Sequence, residues 1–497
     1  MGFVVIALAV AGLGVPAGGE EIEPTWESLA AHYRVPDWFI DGKIGVWMHW
    51  GIQSAIDEDR PPDGSHYGRR MYSPPPEGKP ESEWTIDETL TAWHIKRYGP
   101  LEEFGYEKLI PLWKAEKWDP DALTAFFKDC GARFIMPVAV HHDNFDCYDS
   151  SFPWNSVKMG PHRDIVGEWK AAAQKHGLKF GVSTHLYWSP RFFANARKYQ
   201  KPGTPAWTFF NMDYSPSGYA TQDSWNEHWY ARCWELIEKY DPDIFNNDCP
   251  FPKREGGKEL GLKLFTAFLN RDLKENNGKQ TVVLSFKDGS IDRRAFTYNL
   301  ERGGADDIKP QPWIWATDLS GNWFYRKGAV NRMSIPVMIG NAVDVISKNG
   351  VVMLNVALRG DGTLPENQKA YLLAFREFIK ANGEGIYGTR PWKTFGEGPL
   401  KIKDGRQGEN RREYSQADIR FTTKDGKLYA FVLAPPKETI VIHTLAEGGI
   451  LDRDIRSVTM LGSDETVHWK RTDAALEIEP PNRMPSRYVV GYRIELQ

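Results

Sequence analysis

The sequence predicts an α/β protein, a (β/α)8 barrel of the TIM type followed by a C-terminal antiparallel β-sandwich. Three observations lead there. The chain is 497 residues long, short apolar runs alternate with helical patterns from about residue 44 to 360, and beyond about residue 382 the pattern changes to alternating strands with tight turns. A chain of this length exceeds one ordinary core, so a large barrel plus a second domain is the expected division.

Seven barrel strands read clearly: Ile44–Trp50, Arg133–Val140, Lys179–Leu186, Asp243–Asp248, Thr281–Phe286, Thr297–Glu301 and Val351–Leu358. An eighth is assigned to the weakly patterned stretch 313–346. The intervening helices carry their own punctuation. Asp119-Pro120 supplies a cap and a first-turn proline, Gly131 stops that helix, and Asp164 and Gly177 frame the next. Ser224 and Glu227 match a capping box, with Trp225, Trp229, Leu236, Ile237 and Tyr240 following at helical spacing as core. No glycine-rich phosphate loop opens any helix, which favours a closed barrel over a doubly wound nucleotide-binding sheet. The Pro- and Gly-rich segments Arg60–Gly64 and Ser73–Lys79 read as surface loops around the barrel mouth.

After a helix over Pro365–Asn382, sandwich strands are expected at Asp418–Thr423, Leu428–Leu433, Thr439–Thr444, Arg456–Leu461, Thr466–Arg471 and Tyr488–Leu496. The apolar N-terminus, with Val15-Pro16-Ala17 as a small-x-small cleavage site, reads as a signal peptide. The expected division is therefore 1–19 signal peptide, 20–385 catalytic barrel and 386–497 β-sandwich, in a secreted or periplasmic protein.

A net charge of −4, from 62 basic and 66 acidic residues without like-charge blocks, gives no electrostatic reason for a nucleic-acid partner. No membrane partner is expected after signal cleavage, and a homo-oligomer is compatible with the same reading. The four cysteines show no CxxC spacing, so neither a zinc site nor a disulfide framework is indicated. The 20 Trp, 20 Tyr and 25 Phe suit sugar recognition, as they also suit a large core.

Reactive groups in a barrel sit where strands end, and five strand ends here are polar. They are His49-Trp50, His141-His142-Asp143-Asn144, His185 with Tyr187 and Trp188, Asn246-Asn247-Asp248, and Glu301-Arg302. Imidazoles offer donors and acceptors to hydroxyls, and indoles offer a face to the apolar side of a sugar ring. One such histidine alone is more often structural; five agreeing strand ends indicate a pocket.

The same residues carry a resemblance. Trp38-Phe39 with Asp41-Gly42-Lys43-Ile44-Gly45-Val46-Trp47-Met48-His49-Trp50-Gly51, then Tyr67-Gly68-Arg69-Arg70-Met71-Tyr72, His141-His142-Asp143-Asn144-Phe145, Trp154-Asn155, Tyr240-Asp241-Pro242-Asp243 through Asp248, Val351–Val356 and Ile386–Trp392 resemble successive motifs of α-L-fucosidases, glycoside hydrolase family 29. The resemblance spans roughly residues 25–395.

It implies a retaining, exo-acting enzyme without cofactor or metal, acting on terminal α-L-fucosyl residues of oligo- or polysaccharides by double displacement. Asp248 is the implied nucleophile. The acid/base is expected at Glu301, with Asp318 and Asp306 in reserve, because the Trp-Glu that often carries it is here Trp313-Ile314. His49, Trp50, Tyr67, His141 and His142 are the implied sugar contacts, joined by His66, His185, Trp188 and Trp323. Ser65-His66 replaces a common Glu-Trp, which leaves L-galactose or sulfated fucose open as the glycone. Two rivals stay open. A zinc hydrolase could use His49, His141, His142 and Asp248, although adjacent strand residues point to opposite faces. A sugar-binding protein without turnover is the other.

Overall fold

Eight parallel strands close into a barrel in chain order: β1 Ile44–Met48, β2 Phe134–Val140, β3 Lys179–Thr184, β4 Ile244–Asn247, β5 Val283–Phe286, β6 Thr297–Glu301, β7 Trp313–Asp318 and β8 Gly350–Val356. The computed structural model describes residues 21–497 except 57–58, 212–221, 250, 253–255, 288 and 290. The expected signal peptide lies outside the described residues. The strand assigned only to the stretch 313–346 is Trp313–Asp318, hydrogen-bonded between β6 and β8. Closure is made by β1 on β8, with Ile44 opposite Val352 and Met48 opposite Val356.

Most of these strands are buried along their whole length, β2 and β8 without exception, because side chains fill the barrel on one face and helices cover the other. Trp47, Phe134, Met136, Ile244, Val283, Ile314 and Met353 pack the interior as a cluster of their own. Gly45 makes room for it: a Cβ there would sit 1.9 Å from the Phe134 ring. The barrel is thus a solid core, and only its carboxyl-terminal end is left for a site.

Sequence punctuation does what its chemistry requires at several helices. Asp119 accepts from the Ala122 amide at 2.9 Å to start Pro120–Asp129, and Asp164 accepts from the Gly167 amide at 2.9 Å to start Ile165–His176. Gly177 ends that second helix in the left-handed region, φ 65°. The helix Gln222–Tyr240 begins before Ser224, so Ser224 is not its cap. Trp225, Trp229, Leu236, Ile237 and Tyr240 are buried, as the helical spacing predicts.

The loop Arg60–Gly64 is not surface decoration. Arg60 is buried, donates from Nε to Asp63 Oδ2 at 2.7 Å and from Nη2 to the Tyr325 carbonyl at 2.6 Å, and so ties residues 60–66 to the β7–β8 connection.

The C-terminal region forms two antiparallel sheets, ordered β13-β16-β11-β10-β9 and β12-β15-β14. Their strands are β9 Arg390–Glu397, β10 Ile419–Lys424, β11 Lys427–Val432, β12 Ile440–Ile442, β13 Ile455–Met460, β14 Trp469–Arg471, β15 Leu476–Ile478 and β16 Val490–Leu496. Apolar residues of both sheets share one core, which makes the unit a sandwich. Arg390–Glu397 and Leu476–Ile478 escape a sequence reading, the first because it is half-exposed along its length, the second because it is three residues long.

The sandwich is fastened to the barrel by charge as well as by packing. Arg420 on β10 donates from Nε to Asp344 Oδ1 at 2.6 Å, and Lys348 Nζ lies 2.8 Å from the same oxygen. All three side chains are buried. Asp344→Ala would leave two cations facing each other without water, and the expected result is a loss of about 3–5 kcal/mol in urea-unfolding stability. A loss below about 1 kcal/mol would refute this account of the junction.

Candidate active site

A cavity of about 730 Å³ opens at the carboxyl-terminal end of the barrel. His49, His66, His141, His142, His185, Trp188, Asp248, Glu301 and Trp323 all line it. At four strand ends the polar residues sit just past the strand, since β1 stops at Met48, β2 at Val140, β3 at Thr184 and β4 at Asn247, whereas Glu301 is itself the last residue of β6, opposite Ala316. Side chains released there leave the strand's alternation and turn into the mouth. For that reason the objection that His141 and His142 point apart fails: their rings lie 4.5 Å apart and line the same pocket.

Two expected contacts are misplaced. Trp50 turns away, donating from its indole nitrogen to the Arg359 carbonyl at 2.7 Å and packing on Trp113 and Trp118. Tyr67 is fully buried, its hydroxyl 2.7 Å from His94 Nδ1. Neither lines the pocket; the aromatic content that suggested sugar contact is used there for core. The reserve acids are also excluded by position. Asp318 is held by Arg302, with Nε at 2.9 Å, and Asp306 lies on the exposed outside beside Lys309.

The hydrogen bonds behind the imidazoles fix which nitrogen faces the cavity. Asn355 Nδ2 donates to the Trp323 carbonyl at 2.9 Å, which turns its oxygen toward His49. His49 Nδ1 therefore donates to Asn355 Oδ1 at 2.6 Å, and its Nε2 is left as an acceptor. Gln53 Oε1 accepts from the Tyr67 amide at 3.0 Å, so its NH₂ faces His141 Nδ1 at 3.3 Å, and the His141 proton sits on Nε2 as a donor. His142 Nδ1 donates to the His185 carbonyl at 2.9 Å. Burial holds His49, His141, His142 and His185 well below the usual histidine range, and His66 at about 4. At neutral pH the pocket wall is uncharged imidazole, with donors and acceptors set for hydroxyl groups.

His185, expected as a sugar contact, has its Nε2 2.5 Å from Asp248 Oδ2 and so orients that carboxylate. His49, His141 and His185 also bring ring nitrogens within 4.8 Å of one another, a spacing that could hold a cation.

The residue that organises the site is Lys287, which follows β5. Its Nζ is 2.7 Å from Asp248 Oδ1 and 3.2 Å from Glu301 Oε2. Glu301 takes two further donors, Arg406 Nη2 at 2.6 Å on Oε2 and the Trp323 indole N–H at 3.1 Å on Oε1. Burial acts to raise the Glu301 carboxyl, but the Lys287 ammonium and the Arg406 guanidinium outweigh it and hold the group at about 2. Asp248 goes the other way: its burial raises it more than Lys287 lowers it. The two carboxylates therefore sit in different environments, with Glu301 held ionised by its cations and Asp248 pushed toward its protonated form by burial.

Sequence reading missed Lys287, Arg332 and Arg406, all of which line the cavity. Lys287 was within reach of the strand-end rule, being the residue after Phe286. Arg406 was not, because it arrives from beyond the barrel.

A solid parallel barrel whose open end presents neutral imidazoles, two indole faces and a pair of carboxylates joined by one ammonium group defines a glycoside hydrolase. The particular family follows from comparison. Residues 14–384 match the family described as Alpha-L-fucosidase and residues 411–496 the Alpha-L-fucosidase C-terminal domain, so the chain belongs to the α-L-fucosidase family and has that hydrolase activity. Among its relatives is the tissue alpha-L-fucosidase of Rattus norvegicus, 25% identical over 491 residues, 94% of this chain and 90% of the relative. The crystal structure of Thermotoga maritima alpha-fucosidase superposes with a TM-score of 0.71 at 27% identity, covering 95% of this chain and 99% of that one. The structure of that enzyme in complex with fucose matches at a TM-score of 0.69 and 28% identity, over 94% and 99% of the two chains.

Proposed function

We propose that this α-L-fucosidase is an exo-acting, retaining enzyme in which Asp248 is the nucleophile and Glu301 the acid/base. The supporting observation is the single Lys287 ammonium that touches both carboxylates: it holds their nearest oxygens within about 6 Å, a proximity that suits the close pair of a retaining enzyme, roughly 5–5.5 Å, better than the wider pair of an inverting one. Among the described residues no other carboxylate lines the cavity. The buried imidazoles of His49 and His185 line the cavity with the Trp47 ring packed behind them, an inner wall that supports entry of a glycan with its terminal sugar first.

In the first step an Asp248 oxygen attacks the anomeric carbon, the glycosidic C–O bond breaks, and the Glu301 proton passes to the departing oxygen. In the second, water attacks that carbon, gives its proton to Glu301, and the bond to Asp248 breaks. Glu301 is ionised at rest, so its acid role requires substrate to loosen at least one of its two cation contacts. Two inversions leave the configuration unchanged. Proton NMR during hydrolysis of 4-nitrophenyl α-L-fucoside is expected to show α-L-fucose as the first product, with β-L-fucose appearing only by mutarotation. Initial release of the β-anomer would overturn the proposal.

A further inference from the structure

Neutral sugars are recognised here by imidazole and indole, yet the cavity also collects cations. Lys287, Arg302, Arg332 and Arg406 line it, against the two carboxylates Asp248 and Glu301. The chain as a whole carries a net charge of −4, so this local excess does not follow from composition. Lys287 is occupied by both carboxylates, and Arg302 is occupied by Asp318 and by the face of Trp323, 4.9 Å away. Arg332 is exposed and makes no hydrogen bond or ion pair with any described residue. Arg406 is 52% exposed and its guanidinium is held by Glu301 alone among the described residues.

Arg406 is delivered deliberately by the backbone. The segment around it runs antiparallel to the end of β6: Gly304 bridges Gly405, the Gln407 amide donates to the Glu301 carbonyl at 3.3 Å, and the Glu409 amide donates to the Arg302 carbonyl at 3.1 Å. Glu409 Oε2 then accepts from Thr317 at 2.9 Å and so pins the strap to β7. A guanidinium fixed at a cavity mouth, with a second one lining the same cavity and unpaired among the described residues, offers fork-shaped donors to an oxyanion.

We propose that Arg332 and Arg406 form an anion subsite at the mouth of the fucosyl pocket, and that the preferred substrate carries an oxyanion, a sulfate ester or a carboxylate, on or beside its terminal fucosyl residue. The proposal rests on the fucosidase reading of the same cavity. It also supplies what that reading requires of substrate: an arriving anion competes with Glu301 for Arg406, removing one of the two cations that keep Glu301 ionised, and thereby favours the protonated acid.

The test compares kcat/KM on three substrates: 4-nitrophenyl α-L-fucoside, a sulfated α-L-fucosyl oligosaccharide, and an α-L-fucosyl oligosaccharide bearing a uronic acid, the last two each beside its neutral counterpart. Wild type is expected to favour one anionic substrate over its counterpart by about tenfold or more, the scale of a charge-assisted contact, and the preferred arm identifies the anion. Arg332→Ala is expected to remove most of that preference through KM while leaving the nitrophenyl fucoside unchanged, and Arg332→Lys to keep part of it. Inorganic sulfate should inhibit wild type competitively and Arg332→Ala more weakly. Equal kcat/KM on neutral and anionic substrates, or an Arg332→Ala variant that loses all substrates alike, overturns the subsite while leaving the fucosidase reading standing. Failure of wild type on every α-L-fucoside would overturn that reading instead.

Discussion

Replacing Asp248 by Asn is expected to lower kcat/KM on 4-nitrophenyl α-L-fucoside by about four decades, on the order of 5.5 kcal/mol of transition-state stabilisation. The amide keeps the volume and its oxygen still accepts from Lys287, so the decisive loss is the nucleophile itself. Fold should survive, since Asp248 is tied to neighbours by side-chain contacts with His185 and Lys287 and by its own amide on the Thr184 carbonyl, and the last of these is untouched. Asp248→Gly opens a gap on the same side of the sugar. Azide added to that variant is expected to attack the anomeric carbon, expel nitrophenolate and give β-L-fucosyl azide, inverted because only one displacement occurs. Wild-type rates in Asp248→Asn, or an azide product of α configuration, would remove Asp248 from the mechanism.

Lys287→Met is the second large effect, expected at about 10²–10³-fold in kcat/KM, roughly 3–4 kcal/mol. The variant also carries a signature that simple loss of packing would not. The ammonium favours the ionised form of both carboxylates, so its removal raises both. Asp248, already raised by burial, is then protonated up to a higher pH, and a protonated carboxyl does not attack. The acid limb of the kcat/KM profile should therefore move toward neutrality. Lys287→Arg, which keeps the charge, should leave that limb near its original place. A Lys287→Met profile of unchanged position would show that the ammonium does not tune the pair, whatever happens to the absolute rate.

The sequence made the fold legible where strands are long apolar runs bounded by capped helices. Phe134–Val140 and Lys179–Thr184 are such cases, and the punctuation at Asp119 and Asp164 works as read. Trp313–Asp318 was blurred because it opens onto a long connection, 319–334, that carries no helix or strand of its own. At the site, the strand-end rule located His49, His141, His142, His185, Asp248 and Glu301, since backbone topology alone brings those positions together. The family resemblance misjudged Trp50 and Tyr67 because a motif position does not say which way a ring turns, and both rings find partners in the core, the Arg359 carbonyl and His94. Loop composition hid Arg60 because its partners, Asp63 and the Tyr325 carbonyl, meet it only in three dimensions. Arg406 is the extreme case: 105 residues separate it from Glu301, and nothing periodic points to it.

That strap blurs the line drawn at residues 385 and 386 between a catalytic half and an accessory half. Cutting there would leave every strand of the barrel intact and still remove one of the two cations that hold Glu301, so the two halves are not modules that shuffling could exchange freely. A tail with another residue in the place of Arg406 would hold the Glu301 carboxyl less firmly in its ionised form, so change in the tail of this chain reaches the charge at the barrel mouth.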